Sequence, residues 1–289
     1  MAESNAHKFG QLIGNFLEAS IVGTLEKISK THDLYLDKKG PRPARHGLKL
    51  SWTDLNDNKH DLDFVLESKG TAKTLGNPVG FIEIAWRRYT KHSRNKAQEI
   101  QGALQPLKQK YLLHTPLLGV VLAGKWTEGA LKQLRSLGFK ILLFDYDKLV
   151  QTFNSLNIDI SFTETTSEAV LKRKLTNLEK VLKSDKTMNQ LIKQINSDFK
   201  VEIETFSNEL NRHFSKKIQR ITIRTFFSNE IIVTSVQDAI NSIKLIEKTD
   251  IEGLEFTHFE LEIIYSNQTK INATFLEKEE INDFLNSIN

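Results

Sequence analysis

Two acidic side chains stand where carboxylates are costly. In Asp61-Leu62-Asp63-Phe64-Val65-Leu66-Glu67 acidic and apolar residues nearly alternate, and in Phe81-Ile82-Glu83-Ile84-Ala85-Trp86 a single acid is enclosed by apolar neighbours. Read as strands, the first segment puts Asp61, Asp63 and Glu67 on one face and Leu62, Phe64 and Leu66 on the other. The second puts Glu83 in mid-strand. A carboxylate there is expensive to desolvate unless it is paired or bound to a cation. Two carboxylates on neighbouring strands repel each other and leave room for a hard cation with oxygen ligands, which Mg²⁺ fits. A water on such a cation can attack phosphorus. Each acid alone also fits a structural role, with Glu83 paired to an arginine and Asp63 capping a turn.

The residues after Glu83 favour phosphate chemistry. Arg87-Arg88-Tyr89-Thr90-Lys91-His92-Ser93-Arg94-Asn95-Lys96 carries five Lys+Arg, one His and no acid, and it runs from a strand end into a helix. Arginine, lysine, hydroxyls and a helix N-terminus are the groups that hold phosphate. Arg87, Arg88, Lys91 and Arg94 are the expected phosphate contacts. Other chemistries lack their residues. There is no cysteine for a disulfide, a thiolate zinc site or a thiol nucleophile. His32, His46, His60, His92 and His114 have no metal-ligand spacing. No Walker loop or GxSxG is present. Gly10, Gly14 and Gly23 lie on a helix and are read as close packing. Tyr89 could stack on a base, but packing is its expected role, as it is for Trp52 and Trp86.

The elements that must position these residues follow from periodicity. Residues 8–31 read as a helix with Leu12, Phe16, Ala19 and Gly23 in one stripe. Gly40-Pro41-Arg42-Pro43 breaks the chain. Two strands are expected over 48–55 and 61–67, with Asn56-Asp57-Asn58 as the turn, and a third over 79–86 after the break at Gly76-Asn77-Pro78. A helix over 94–110 precedes a β-α-β unit of strand 117–123, helix 126–137 ending at Gly138, and strand 139–145. Two short apolar strands about one helix imply a parallel pair. The polar stretch Asn154–Ser167 is read as the domain boundary. Beyond it, helices are expected over 168–182 and 187–214, strands over 218–227, 230–236, 254–265 and 269–275, a helix over 236–247 and a final helix. The strand 221–227 is a candidate for pairing between subunits.

Composition places the chain among folded, water-soluble proteins. It has 289 residues, 39% apolar and 26% charged, enough for one large domain or two ordinary ones. No apolar run reaches the roughly 18 residues of a membrane span. The opening MAESNAHKFG has no basic and then apolar signal pattern, so a cytoplasmic location is expected. Residues 1–154 carry 23 Lys+Arg against 15 Asp+Glu, and residues 155–289 carry 17 against 21. A basic half joined to an acidic half points the first half at a polyanion.

Taken in order, a helix with Glu18, a strand with Asp63, a strand with Glu83, a basic helix and a β-α-β unit resemble the PD-(D/E)xK nuclease superfamily, which includes many restriction endonucleases. The resemblance covers residues 8 to about 150. It implies an α/β fold, a restriction-endonuclease-like mixed sheet flanked by helices, followed by a C-terminal α+β domain. It divides the chain into a nuclease-like catalytic domain, 1–154, and a domain for dimerisation or DNA specificity, 155–289. It implies a Mg²⁺-dependent endonuclease on double-stranded DNA, of restriction-modification or phage-defence type, working as a homodimer or higher oligomer. Asp63, Glu83 and Glu18 (with Glu26 as the weaker match) become its metal ligands. One departure stands out. The lysine expected two residues after the second acid is replaced by Ala85. Lys96 or Lys91, from the following helix, would then act as the catalytic lysine, with Gln98 and Glu99 as further site candidates. Glu67-Ser68-Lys69 is an alternative ExK, ranked lower because Lys69 leaves its strand with no basic helix behind it. A catalytically degenerate DNA-binding subunit is the alternative that Ala85 raises, and an RNA-targeting nuclease is a third.

Overall fold

A computed structural model of the chain describes residues 4–225, 230–246 and 258–288. They form two compact units. The first comprises Met1–Lys110 with Pro116–Asn211, the second Tyr111–Thr115 with Arg212–Asn289.

The first unit is built on a five-stranded mixed sheet. Helix α1 (Asn5–Thr31) is capped by the Ser4 hydroxyl, which accepts from the His7 amide, and buries Phe9, Ile13, Phe16, Leu17, Ile21, Leu25 and Ile28. Strand β1 (Leu34–Lys38) follows directly. A small hairpin, β2 (Ser51–Thr53) and β3 (Lys59–Asp61), stands apart from the main sheet, its turn held by Asp54 accepting from the amides of Asn56 and Asn58. Strands β4 (Phe64–Ser68), β5 (Asn77–Arg87), β6 (Leu117–Gly124) and β7 (Lys140–Asp145) complete the sheet in the order β1-β4-β5-β6-β7. The first two pairings are antiparallel and the last two parallel. Strand β6 is buried along its whole length, as a strand covered on both faces must be.

Helix α2 (Ser93–Lys110) lies against β5 and β6, α3 (Glu128–Ser136) against β7, and α4 (Tyr146–Asn154) against β6 and β7. Thr127 caps α3 and Gly138 (φ +84°) follows its end, as the sequence predicts. Three more helices follow, α5 (Glu168–Leu182), α6 (Asp185–Asp198) and α7 (Lys200–Phe214), the last three residues of α7 belonging to the second unit, and α5 and α6 lie on α1.

The expected boundary at 154 is therefore displaced to Asn211. The stretch read as a polar linker docks instead: Ile158, Ile160 and Phe162 alternate with polar residues and are buried, and Phe162 meets Phe9 edge-on at 5.2 Å. Beyond it, Phe199 packs edge-on against Phe144 at 4.9 Å. The single helix expected over 187–214 is broken at Phe199, which caps α6 before α7 begins.

The second unit holds a four-stranded antiparallel sheet, β8 (Ile218–Arg224), β9 (Ile231–Val233), β10 (Phe259–Tyr265) and β11 (Lys270–Phe275), in the order β11-β10-β8-β9, with helices α8 (Val236–Leu245) and α9 (Lys278–Ile288). In β10, Phe259, Leu261, Ile263 and Tyr265 alternate inward and join Ile240, Ile243, Ile281 and Leu285 in one core. The expected ends of strands and helix at 226–227, 254–257 and 247 lie outside the described residues. The whole chain is thus α/β with a mixed sheet flanked by helices, plus a separate antiparallel sheet with its own helices. Among the described residues no helix is long and apolar enough to cross a membrane.

Candidate active site

The two acids singled out by their spacing meet where β4 and β5 part. The last paired positions there are Phe64 and Ile82, so Asp63 and Glu83 stand one step further along the same register. Asp63 lies in a bend before β4, and its Oδ2 accepts a hydrogen bond from the Ile84 amide at 2.7 Å. That bond ties the carboxylate to the strand carrying Glu83. Glu83 as a whole residue is partly exposed, yet its Oε2 is enclosed and accepts no hydrogen bond. A buried carboxylate oxygen without a donor is costly and calls for a partner.

The electrostatics follow from this geometry. Burial pushes the Glu83 carboxyl well above the usual range, the neighbouring Asp63 pushes it further, Lys96 opposes, and Glu18 adds to the rise. Burial also raises Asp63, against the Ile84 amide and the charges of Lys96 and Lys39. Glu18 is raised by its own burial and then by Asp63, with Lys39 opposing. Three acids and two lysines therefore share one field. Two buried carboxylates that resist ionising together are satisfied by a shared proton or by a cation between them. Among the described residues no three acids or histidines form a closed ligand set. Asp63 and Glu83 are the pair, and Glu18 is a neighbour by charge. A hard cation held by two carboxylates, with water filling its other positions, is the Mg²⁺ pattern, so the residues present fit that ion.

The helix lysine reaches this field. Lys96 sits in the first turn of α2, its ammonium 3.1 Å from Glu99, and its charge acts on both Asp63 and Glu83. Ala85, two residues after Glu83, is buried. Lys91 does not join. It pairs with Glu164 on the surface. Among the expected phosphate contacts, Arg88 is committed elsewhere: its Nε donates to the Phe162 carbonyl at 2.6 Å and its guanidinium lies 3.8 Å over the Tyr146 ring. It anchors the segment after α4 rather than facing outward. Arg87 bonds the Trp86 carbonyl and stands 3.8 Å from Glu99, and Arg94 is exposed at the start of α2.

Other expectations about the acids and glycines change. Asp61, Asp63 and Glu67 do not share a face, because the chain breaks at Leu62-Asp63 between the hairpin and the main sheet. Asp61 is exposed and pairs with Lys49. Glu67 is fully buried in a bidentate pair with Arg42, 2.6 and 2.9 Å, and also accepts from the Gly76 amide. The alternative Glu67-Ser68-Lys69 motif is thereby spent on structure. Glu26 pairs with Lys38. Gly10 is a close approach, with any Cβ 3.3 Å from Trp86, but Gly14 and Gly23 face open space.

Lys39 is the participant that pattern reading missed. It falls between β1 and a Gly-Pro break, outside any alternation, and its charge on Asp63 and Glu18 is what reveals its place. No family model matches the chain, and no curated protein matches it. Among solved structures it is similar to one described as the crystal structure of a protein of unknown function, AF1548, at 10% identity and a TM-score of 0.29, over 58% of this chain and 98% of that one. A TM-score of that size carries no fold assignment.

Proposed function

We propose that this chain is a Mg²⁺-dependent endonuclease of the PD-(D/E)xK type acting on double-stranded DNA, with a restriction-endonuclease-like sheet in its first unit. The observation that carries the reading is the partnerless, enclosed Glu83 Oε2 beside Asp63, reached by the charge of Lys96. Asp63 and Glu83 would hold the ion. When bound, Mg²⁺ supplies a Lewis acid for phosphate oxygens and lowers the pKa of the attacking water. The Ile84 amide keeps the Asp63 carboxylate aimed into the fork. Lys96 offsets charge building on the phosphate and orients the water, the task left open by Ala85. Arg87 and Arg94 face the incoming strand. Glu18 adds negative charge beside the pair and favours a cation over an anion there. Cutting both strands needs two sites, which an isologous homodimer supplies, with the second unit serving dimerisation or sequence readout. A restriction or phage-defence setting is the biological role this reading implies.

The test is incubation of plasmid and phage DNA with the purified protein in Mg²⁺ or chelator, beside Asp63→Ala and Glu83→Ala. The expected outcome is Mg²⁺-dependent cleavage, reduced at least about a hundredfold in both variants, the size of loss that removing charge-stabilising groups gives. Full activity in either variant sinks the proposal. Ala85 favours a second reading, a DNA-binding subunit with a degenerate nuclease site. Salt-sensitive DNA binding without turnover would select it.

A further inference from the structure

Strand pairing sets up a row across the sheet. Lys38 of β1 and Phe64 of β4 are the last pair of their ladder, and Phe64 and Ile82 the last of the next, so Lys39, Asp63 and Glu83 each stand one step beyond the paired ends. The order across the strand ends is therefore Lys39, Asp63, Glu83, and the charge of Lys39 reaches Asp63.

The backbone around Lys39 is held on both sides. The Lys38 amide donates to Asp37 Oδ1 at 2.9 Å, the Lys38 carbonyl accepts from Arg45 Nη2 at 2.7 Å, and the Gly40 amide donates to the Leu48 carbonyl at 2.8 Å. Behind these bonds lies a buried clamp. Arg42, 2% exposed in its side chain, bridges Asp37 and Glu67 and donates to the carbonyls of Thr71 and Thr74. Of the five Lys and Arg residues between 38 and 49, the other four form ion pairs: Lys38 with Glu26, Arg42 and Arg45 with Asp37, and Lys49 with Asp61. Lys39 remains exposed, and its charge acts on Asp63 and Glu18 rather than closing a contact pair. A long cation on a rigid platform beside an acidic pair matches what a bound phosphate needs: charge that is already in place.

We propose that Lys39 is a substrate-binding residue that holds a phosphate of the DNA strand against the Asp63–Glu83 pair, from the side opposite to Lys96 along the strand order. The assignment rests on the nuclease reading given above. The experiment uses the full chain with Lys39→Ala, Lys39→Arg and the neighbouring control Lys38→Ala. It measures duplex-DNA affinity across salt concentrations in Ca²⁺, single-turnover cleavage in Mg²⁺, and thermal unfolding. In Lys39→Ala the slope of log K against log salt should shrink by about 0.9, one phosphate contact. Cleavage should fall about tenfold to a hundredfold, as loss of a charged hydrogen bond implies. Lys39→Arg should restore the slope, Lys38→Ala should retain it, and all should unfold like the wild type. An unchanged slope and rate in Lys39→Ala, with wild-type binding and cleavage intact, overturns the Lys39 assignment alone. Equal slope losses in Lys38→Ala and Lys39→Ala also overturn it, since they mean a diffuse basic surface. Wild-type protein that neither binds nor cuts DNA overturns the nuclease reading and this assignment with it.

Discussion

At the scale of single residues, burial decides which charges are available and which are spent. Asp63, Glu83 and Lys96 were legible because an acid among apolar strand residues, followed by a basic helix, is a local pattern. The fates of Arg88 and Lys91 were not, because their partners Phe162, Tyr146 and Glu164 lie more than fifty residues away in the chain. The same principle operates away from the site. Lys216 lies over the Tyr265 ring at 4.7 Å and donates to the Thr115 hydroxyl. Burial lowers its ammonium to about 8 from an ordinary 10.5 and pushes the Tyr265 phenol up to about 12. Folding thus sheds a proton from Lys216 between about pH 8 and 10.5, where the unfolded chain still binds it, so stability rises with pH across that window. Tyr265 acts with the opposite sign only above its ordinary 10.0. Urea unfolding of the second unit, followed from pH 7 to 10, should show a rising midpoint that flattens in Lys216→Met. A falling or level midpoint in the wild type would contradict the burial argument.

At the scale of elements, alternation predicted the strands that carry the acids, and it failed where one run serves two sheets. Residues 61–67 look like a single strand, yet the main-sheet strand starts only at Phe64 because the hairpin claims Asp61. That break frees Asp63 from ladder pairing. The strand Leu34–Lys38 escaped notice since five residues between a long helix and a Gly-Pro break carry no period of their own. The parallel core was plain, because continuous apolar strands allow few other readings. Its exit is sharply constrained. At Gly124, φ is +100° and an added Cβ would lie 2.0 Å from the Arg87 carbonyl, beside the amide bond from Lys125 to that oxygen. Gly124→Ala should lower stability by roughly 1–3 kcal/mol, the range for strained backbone positions, and disturb the β5 end from which Arg87 projects. A melting temperature within error of wild type would count against it.

At the scale of the whole molecule, the charge asymmetry survives the revised division. The first unit carries 31 Lys+Arg against 24 Asp+Glu and the second 9 against 12. The sequence placed the division too early because a run of threonines and serines looks like a linker, whereas Ile158, Ile160 and Phe162 are core residues spaced two apart. A fragment ending at residue 154 would lose these together with Phe199 and Phe206, both fully buried. It should lack a cooperative thermal transition, and a fragment ending at 211 should regain most of one. A sharp two-state melt of the shorter piece would restore the earlier boundary.

The chain passes between its two units three times, since Tyr111–Thr115 belongs to the second unit but interrupts the first. Leu113 from that short piece packs on the core whose buried residues run from Ile221 to Leu285, all more than a hundred positions later. On the ribosome, Leu113 must wait until the chain has reached Leu285 before that core is complete, roughly ten seconds or more at ordinary elongation rates. The second unit is therefore the last to be finished, and it is not a module that recombination could append or exchange by a single crossover near residue 211. A swapped-in relative would arrive without its own 111–115 and leave Leu113's place in the core to a residue selected for another protein.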